Sequence, residues 1–215
     1  MTDRYPGYDV LDKHDSLSWN DQTRRVIDAR MALEPNAHAF FNSEEWPTVV
    51  AICTRIVPQP PERSRSAPLA AMVDAKLHED ARDGFRDGRL PPQKDAWRRA
   101  IAAFNAEARA RFGQPFADLD GSKQDAVLAA AQRGDNVSDA WGDMRSELFF
   151  AKRLLRDVVG AYYSHPASWN EIGFGGPASP RGYVRMNFDR RDPWEASEAR
   201  PGRERIARRE NARVG

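Results

Sequence analysis

The sequence contains little of what several protein classes require. Cys53 is the single cysteine among 215 residues, which excludes an internal disulfide framework and a metal site built from several cysteines. The longest uncharged apolar run, residues 67–73, is far shorter than the roughly 20 residues of a membrane-spanning helix. The net charge is only +1, so no bulk attraction holds the chain to nucleic acid or to an anionic membrane. We expect a soluble globular protein.

Lysine is also scarce, because 28 of the 33 basic residues are arginine. Arginine forms planar, bidentate pairs with carboxylates and stacks on aromatic rings, so it suits polar contacts between proteins. A bias in codon usage is the alternative explanation. The tryptophans are spread too widely along the chain to share one core: Trp19, Trp46, Trp97, Trp141, Trp169 and Trp194.

The first residues carry no recognisable export signal. Residues 1–15 contain four aspartates and no apolar segment, unlike a secretory signal peptide. The pair Arg24-Arg25 is followed by charged residues instead of an apolar stretch, unlike a twin-arginine signal. We expect a cytoplasmic chain, or a periplasmic one if it leaves the cytoplasm with an exported partner.

Apolar residues recur at three- and four-residue spacing in five segments, which predicts helices. Ser43, Gly113, Gly134 and Ser138 are the expected cap residues. No alternating strand pattern of useful length occurs. The sequence therefore predicts an all-α fold, an irregular bundle of about five helices. Their ranges are about 44–57, 67–86, 92–112, 122–133 and 139–163, the last being the longest.

Outside these helices the chain changes in character. Residues 1–40 predict an N-terminal arm, mostly irregular, with one short helix after Trp19. Residues 41–194 predict the helical domain, ending in a long non-helical segment, 164–194, rich in glycine, proline and aromatic residues. That segment carries too many large apolar groups to remain in solvent, so it must pack on the bundle or on another protein. Residues 195–215 are charged and predict a disordered tail.

The residues with catalytic or metal-binding potential are scattered along the chain. Cys53 falls on an apolar helix stripe, which is typical of a core residue. The loop 173–176 follows a helix and lacks a Walker lysine, so it predicts no nucleotide site. An enzyme with a site built from distant residues, such as His78 with Asp74 and a carboxylate from another helix, stays open, as does a helical adaptor unrelated to redox chemistry. The histidines show no metal-ligand spacing: His14, His38, His78 and His165.

Three stretches of the sequence resemble one protein family. They are EEWPTVVAICTRIVPQ at 44–59, MVDAKL at 72–77 and GAYYSHPASWNEIGFGGPASPRGY at 160–183. Together they resemble subunit 3 of gluconate 2-dehydrogenase over about residues 40–185. The most specific part is the segment that begins YYSHP. Such chains are small subunits of bacterial flavin-dependent sugar and sugar-acid dehydrogenase complexes.

The resemblance implies a non-catalytic accessory subunit of a membrane-associated oxidoreductase complex. It places FAD and the catalytic base on a large partner of the glucose-methanol-choline oxidoreductase type, and haem c on a cytochrome c subunit. It implies no catalytic, cofactor-binding or metal-binding residue on this chain, which would bind and stabilise the flavoprotein. The sugar, sugar acid or polyol that is oxidised would be a property of that partner. No nucleic-acid partner is expected.

We predict that the partner interface lies at the end of the longest helix and in the segment that follows it. Aromatic and arginine side chains dominate binding hot spots, and this region contains both. The alternative is that the segment simply covers its own bundle. The predicted interface residues are Tyr162, His165, Trp169, Phe174, Arg181, Tyr183 and Arg185.

Overall fold

A computed structural model of the chain describes residues 4–61, 65–81, 84, 87–177, 195 and 197–213. These residues form helices and connecting turns without a strand, which confirms the predicted all-α fold. None of their helices is long and apolar enough to cross a membrane. In chain order the helices are α1 (Asp21–Met31), α2 (Trp46–Ile56), α3 (Leu69–His78), α4 (Gln93–Phe112), α5 (Gly121–Arg133), α6 (Ser146–Phe149), α7 (Leu155–Ser164), α8 (Pro166–Ile172) and α9 (Glu204–Asn211).

The chain divides into two compact units. We call residues 34–59 and 68–162 the bundle unit, and residues 1–33, 60–67 and 163–215 the terminal unit. These boundaries differ from the predicted divisions at residues 40 and 194. The physical reason is that the two ends of the chain share one apolar cluster, to which Tyr8, Trp19, Trp169 and Ala207 all belong.

Aromatic side chains fill the core of the bundle unit. Trp97 on α4 is fully buried, and its ring meets those of Phe41 and Phe149 edge-on, at centroid distances of 5.9 and 5.5 Å. Phe104 meets Trp141 in the same way at 5.2 Å. Edge-to-face pairs of this kind add to the stabilisation from apolar burial. The predicted stripe of α4 is buried as far as Ala108, whereas Phe112 in the last turn is 37% exposed.

The ends of α4 and α5 lie where their signals predicted. Gly113 and Gly134 follow the two helices in the left-handed conformation. The start of α2 differs: Glu45 precedes the helix without a side-chain cap, and Asn42, in place of Ser43, caps the turn that leads into it. The Asn42 side-chain oxygen accepts hydrogen bonds from the backbone N–H groups of Glu44 and Glu45, each at 2.9 Å. The Glu45 carboxylate accepts one from the Asn42 N–H at 3.0 Å, which completes a reciprocal capping box.

The predicted longest helix is wrong at its start. Ser138 caps only a short 3-10 turn, Asp139–Trp141, through a hydrogen bond from the Ala140 N–H. Gly142 then adopts φ 56° and ψ −127°, which ends the turn. The helical run begins at α6 and continues into α7 through one π-helical turn, Phe150–Leu154. The second predicted helix is also shorter than expected, since α3 ends at His78 and Asp80 takes a positive φ of 52°.

The terminal unit contains two helices that the sequence patterns did not indicate. Helix α8 lies inside the segment predicted to be non-helical, and α9 lies inside the tail predicted to be disordered. Helix α8 has only seven residues, too few to show an apolar period. Helix α9 is held through Ala207 and Asn211, which are buried although the rest of the helix, apart from Ile206, is charged.

Candidate functional site

Helix α8 lies within the predicted partner-binding segment. A histidine and a proline define its start, and a glycine defines its end. His165 is the N-cap: its Nδ1 accepts a hydrogen bond from the Ala167 N–H at 3.2 Å, and Pro166 takes the first helical position. Gly173 ends the helix with φ 72°. A Cβ there would lie 2.8 Å from the carbonyl oxygen of Ala199 and from a ring carbon of Tyr5. Only glycine fits this position without a shift of backbone.

Trp169 anchors α8 in the core of the terminal unit. Its side chain is 4% exposed, and its indole Nε1 donates a hydrogen bond to the Tyr163 carbonyl at 2.7 Å. The ring meets Phe174 edge-on at 5.8 Å. A buried indole needs a partner for its N–H as well as apolar contacts for its ring. Both needs of Trp169 are met inside this chain.

Asn170 joins α8 to the first residues of the chain. Its Oδ1 accepts a hydrogen bond from the Val10 N–H at 2.7 Å, and its Nδ2 donates to the Asp9 carboxylate at 3.0 Å. The same carboxylate oxygen accepts from the Leu11 N–H at 3.0 Å and so caps the 3-10 turn Val10–Lys13. One asparagine side chain therefore holds a turn that lies 160 residues away in sequence.

Lys13 and Trp19 fix the turn that follows α8. Lys13 is fully buried; its Nζ donates to the Pro177 carbonyl at 3.2 Å and lies 5.4 Å from the centre of the Trp19 ring. Trp19 Nε1 donates to the same carbonyl at 2.8 Å. A Cβ on Gly176, which has φ 73°, would lie 3.0 Å from Val10 and 3.3 Å from Trp19. The two glycines 173 and 176 thus let the first residues of the chain approach closely.

Burial changes the acid–base behaviour of His165, which is 3% exposed. Loss of solvent lowers the pKa of His165 below its usual range, and the charge of Arg30 lowers it further, against a backbone hydrogen bond of Arg30 that raises it. Arg30 also donates to the Ser164 carbonyl at 2.7 Å. Because Nδ1 of His165 accepts the N-cap bond, the proton of the neutral ring lies on Nε2. A neutral imidazole is the form that can cap α8.

One comparison with known proteins decides the family. The family model described as gluconate 2-dehydrogenase subunit 3 matches residues 43–176, which is more than half of the 215 residues. The chain belongs to the gluconate 2-dehydrogenase subunit 3 family. No curated protein and no solved structure matches the chain.

The family match covers α2 to α8 and ends at Gly176. It therefore includes His165, Trp169 and Asn170 of α8. It excludes the residues that pack on α8 from the start of the chain, such as Lys13 and Trp19, and it excludes α9. In this member of the subunit 3 family, residues outside the family match therefore pack on α8, a helix inside the match.

The structure places the predicted interface residues in different surroundings. Tyr162 is 8% exposed at the end of the bundle unit. His165 and Trp169 are buried in the terminal unit, where Phe174 packs half-buried against the same cluster. Trp169 and Phe174 pack on residues from the two ends of the chain, and the exposed surface of the described part of this segment consists of other residues. Three predicted residues, Arg181, Tyr183 and Arg185, lie outside the described residues.

Asp74 and His78, the two residues named for an assembled catalytic site, lie in different surroundings on α3. His78 is exposed at the last turn of α3. Asp74 is buried, and its carboxylate accepts hydrogen bonds from three consecutive backbone N–H groups, those of Ala39, Phe40 and Phe41, at 2.6 to 3.2 Å. Asp74 thus holds the loop before α2. In the described part of the chain no group of three His, Cys, Asp or Glu side chains could hold a metal ion.

A second buried carboxylate holds the core of the bundle unit together. Asp157 on α7 has no exposed side-chain surface. Its Oδ1 accepts from Lys76 at 2.9 Å and from Arg153 at 2.8 Å, and its Oδ2 accepts from Trp97 Nε1 at 2.7 Å. Arg153 lies in the π-helical turn. The neighbouring Cys53 is buried, and burial raises the pKa of its thiol to about 12, so Cys53 is the core residue that the sequence predicted.

Sequence reasoning missed Lys13, Asn170 and Glu107. Glu107 is 1% exposed on α4, and its carboxylate accepts from the N–H groups of Val137 and Ser138 at 2.8 to 3.1 Å. A charged residue on an otherwise apolar helix stripe is a signal that could have found Glu107. Lys13 and Asn170 stand in polar surroundings in the sequence, where nothing local marks them.

Proposed function

We propose that this chain is the accessory subunit of a flavin-dependent gluconate 2-dehydrogenase-like complex and that it binds and stabilises the flavoprotein subunit. The family match over residues 43–176 carries this proposal. In the proposed complex FAD lies on a partner of the glucose-methanol-choline oxidoreductase type, and a cytochrome c subunit receives the electrons. The oxidation of the sugar acid or polyol belongs to the flavoprotein.

The contacts of the buried carboxylates favour a structural role for these side chains over a catalytic one. Asp74, Glu107 and Asp157 each accept hydrogen bonds from backbone N–H groups or from cationic side chains of the same chain. A catalytic acid or base needs to reach a substrate. The three carboxylates instead connect helices to loops or one helix to another. Their arrangement is typical of groups that stabilise a fold.

We propose that the partner meets the outer surface of the segment around α8. Tyr163, 52% exposed, and Ile172, 42% exposed, are the large apolar side chains that this surface presents among the described residues. The predicted residues Arg181, Tyr183 and Arg185 continue the same segment. A segment whose sequence combines aromatic, arginine and apolar residues has the composition of a protein-binding surface.

Co-purification tests the proposal directly. The chain carrying an affinity tag is co-expressed with the glucose-methanol-choline-type flavoprotein whose gene lies nearest to its own. We expect flavin absorbance to co-elute with the tagged chain in size-exclusion chromatography, and the thermal midpoint of the flavoprotein to rise in the complex. Separate elution of two folded proteins would contradict the proposed function. A glucose-methanol-choline-type oxidase that works alone serves as the control.

Surface variants then locate the interface. The double variant Tyr163→Ser and Ile172→Ser removes exposed apolar surface near α8, and the single variant Tyr183→Ala tests the predicted aromatic anchor. Val137→Ser is the matched control, since Val137 is 58% exposed in the bundle unit. We expect the first two to weaken co-purification and the control to leave it unchanged. Equal recovery of all three would place the interface elsewhere.

A further inference from the structure

Helix α9 is held in one orientation by its buried side. Ala207 and Asn211, one turn apart, are 3% and 1% exposed. The Asn211 amide forms a pair of hydrogen bonds with the backbone of Ser197: its Oδ1 accepts from the N–H at 2.7 Å and its Nδ2 donates to the carbonyl at 3.1 Å. The same Ser197 carbonyl accepts from the Tyr8 hydroxyl at 3.2 Å. These contacts decide which side of α9 points outward.

The outward side of α9 is a row of arginines. At 100° per residue, positions two residues away from the buried Ala207 and Asn211 lie across the helix. These positions are Arg205, Arg209 and Arg213, all exposed. Arg205 and Arg209 are four residues apart, which is about 6 Å along the helix, and Arg213 lies two residues beyond the end of α9. We call these three residues the arginine row.

The acidic residues of α9 are directed to other contacts. Glu204 accepts a hydrogen bond from the Gly202 N–H at 2.8 Å, and Glu210 accepts one from the Ser197 hydroxyl. Arg208, beside the row, is paired with Asp12 at 3.3 Å. Within the described part of the chain, no ion pair is formed by the arginine row itself. The segment 178–194 carries four arginines against two aspartates, so its composition does not neutralise the row.

We infer that the arginine row is a docking surface for a protein that presents carboxylates at matching spacing. Arginine binds carboxylates with two parallel hydrogen bonds, and a row fixed on a helix loses little freedom when it binds. The chain belongs to a family of subunits, which makes a protein the expected kind of partner. The row lies outside the family match, so it adds a contact that the matched region does not supply.

Two other polyanions fit the row less well. Insertion into an anionic bilayer needs an apolar helix face, and Ile206, 44% exposed, is the one large apolar side chain that α9 presents. Nucleic acid is held by many phosphate contacts and by a positive field, but the whole chain has a net charge of +1. The experiment below therefore includes anionic vesicles and a single-stranded oligonucleotide as further probes.

Direct binding to synthetic probes tests the inference. The full chain is titrated into a fluorescent helical peptide with glutamate at every fourth position, and fluorescence anisotropy reports binding at low and at moderate salt. The same titration uses a glutamine version of the peptide, vesicles that contain phosphatidylglycerol, and single-stranded oligothymidylate. The triple variant Arg205→Gln, Arg209→Gln, Arg213→Gln is compared with a control triple variant in exposed arginines elsewhere, Arg25→Gln, Arg109→Gln and Arg133→Gln.

We expect the glutamate peptide to bind more tightly than every other probe, and its affinity to fall as salt rises. We expect the row variant to lose about tenfold in affinity and the control variant to lose much less. Equal losses in the two variants, or no binding of the glutamate peptide, would refute the docking surface. Tighter binding of vesicles or of the oligonucleotide through the same row would refute the protein partner. The probes contain no flavoprotein, so this result is independent of the co-purification.

Discussion

Replacing Asp157 by asparagine removes one negative charge from the core of the bundle unit while keeping the size and shape of the side chain. In the native chain that charge faces two cations, Lys76 at 2.9 Å and Arg153 at 2.8 Å, and the Trp97 indole N–H at 2.7 Å. The amide of asparagine can still accept one of these bonds. It leaves the side chain of Arg153, which is 10% exposed, beside a neutral group.

The size of the effect follows from this geometry. Removing one partner of a buried ion pair costs about 3–5 kcal/mol, because the remaining charge stays desolvated. Lys76 is 26% exposed and regains part of its hydration, and Trp97 can keep its hydrogen bond. We therefore expect the free energy of unfolding to fall by about 3 kcal/mol.

Urea unfolding of purified chains, followed by tryptophan fluorescence and by circular dichroism, measures this difference. Asp143→Asn is the matched control: Asp143 pairs with Arg99 but is 90% exposed, so its replacement should have a much smaller effect. Adding Lys76→Met to Asp157→Asn should recover part of the loss, since one cation is then removed as well. Equal stabilities of Asp157→Asn and Asp143→Asn would refute the idea that Asp157 holds the core.

Three further predictions concern Trp97, His165 and Cys53. Trp97→Ala should lower the free energy of unfolding by about 3–5 kcal/mol, and an unchanged thermal midpoint would contradict its place in the core. Because the folded pKa of His165 is lowered, its contribution to stability is complete above the usual value of 6.5 and declines as pH falls below it. His165→Asn keeps an N-cap acceptor, so it should weaken this pH dependence in urea titrations. Cys53 should resist alkylation in the folded chain and react after unfolding, as mass spectrometry of iodoacetamide-treated samples would show.

Apolar stripes and cap residues predicted the helices of the bundle unit well where both were clear in the sequence. Helix α4 has a long apolar stripe and ends at Gly113, and α5 ends at Gly134, so both were predicted within one or two residues. The predicted start of the longest helix was wrong, because Ser138 is a good cap for any helical turn. Only the backbone conformation of Gly142 shows that the turn ends there. The sequence offers no means of distinguishing these two outcomes.

The candidate site was harder to predict, because its contacts join residues far apart in the sequence. Asn170 and Val10 are separated by 160 residues, and Tyr8 and Ser197 by 189. Each of these residues is unremarkable among its neighbours. The glycines and aromatic residues of the segment around α8 indicated that it matters. Only the structure shows that residues from the two ends of the same chain pack around Trp169.

The pairing of the two chain ends in the terminal unit also sets an order of events during synthesis. Residues 4–33 leave the ribosome long before α8 and α9 exist, so during most of translation Trp19 lacks its hydrogen bond to Pro177 and Tyr8 lacks its hydrogen bond to Ser197. The bundle unit, whose helices follow one another closely along the chain, can form first. The apolar cluster of the terminal unit can be completed only after Ala207 on α9 has been translated.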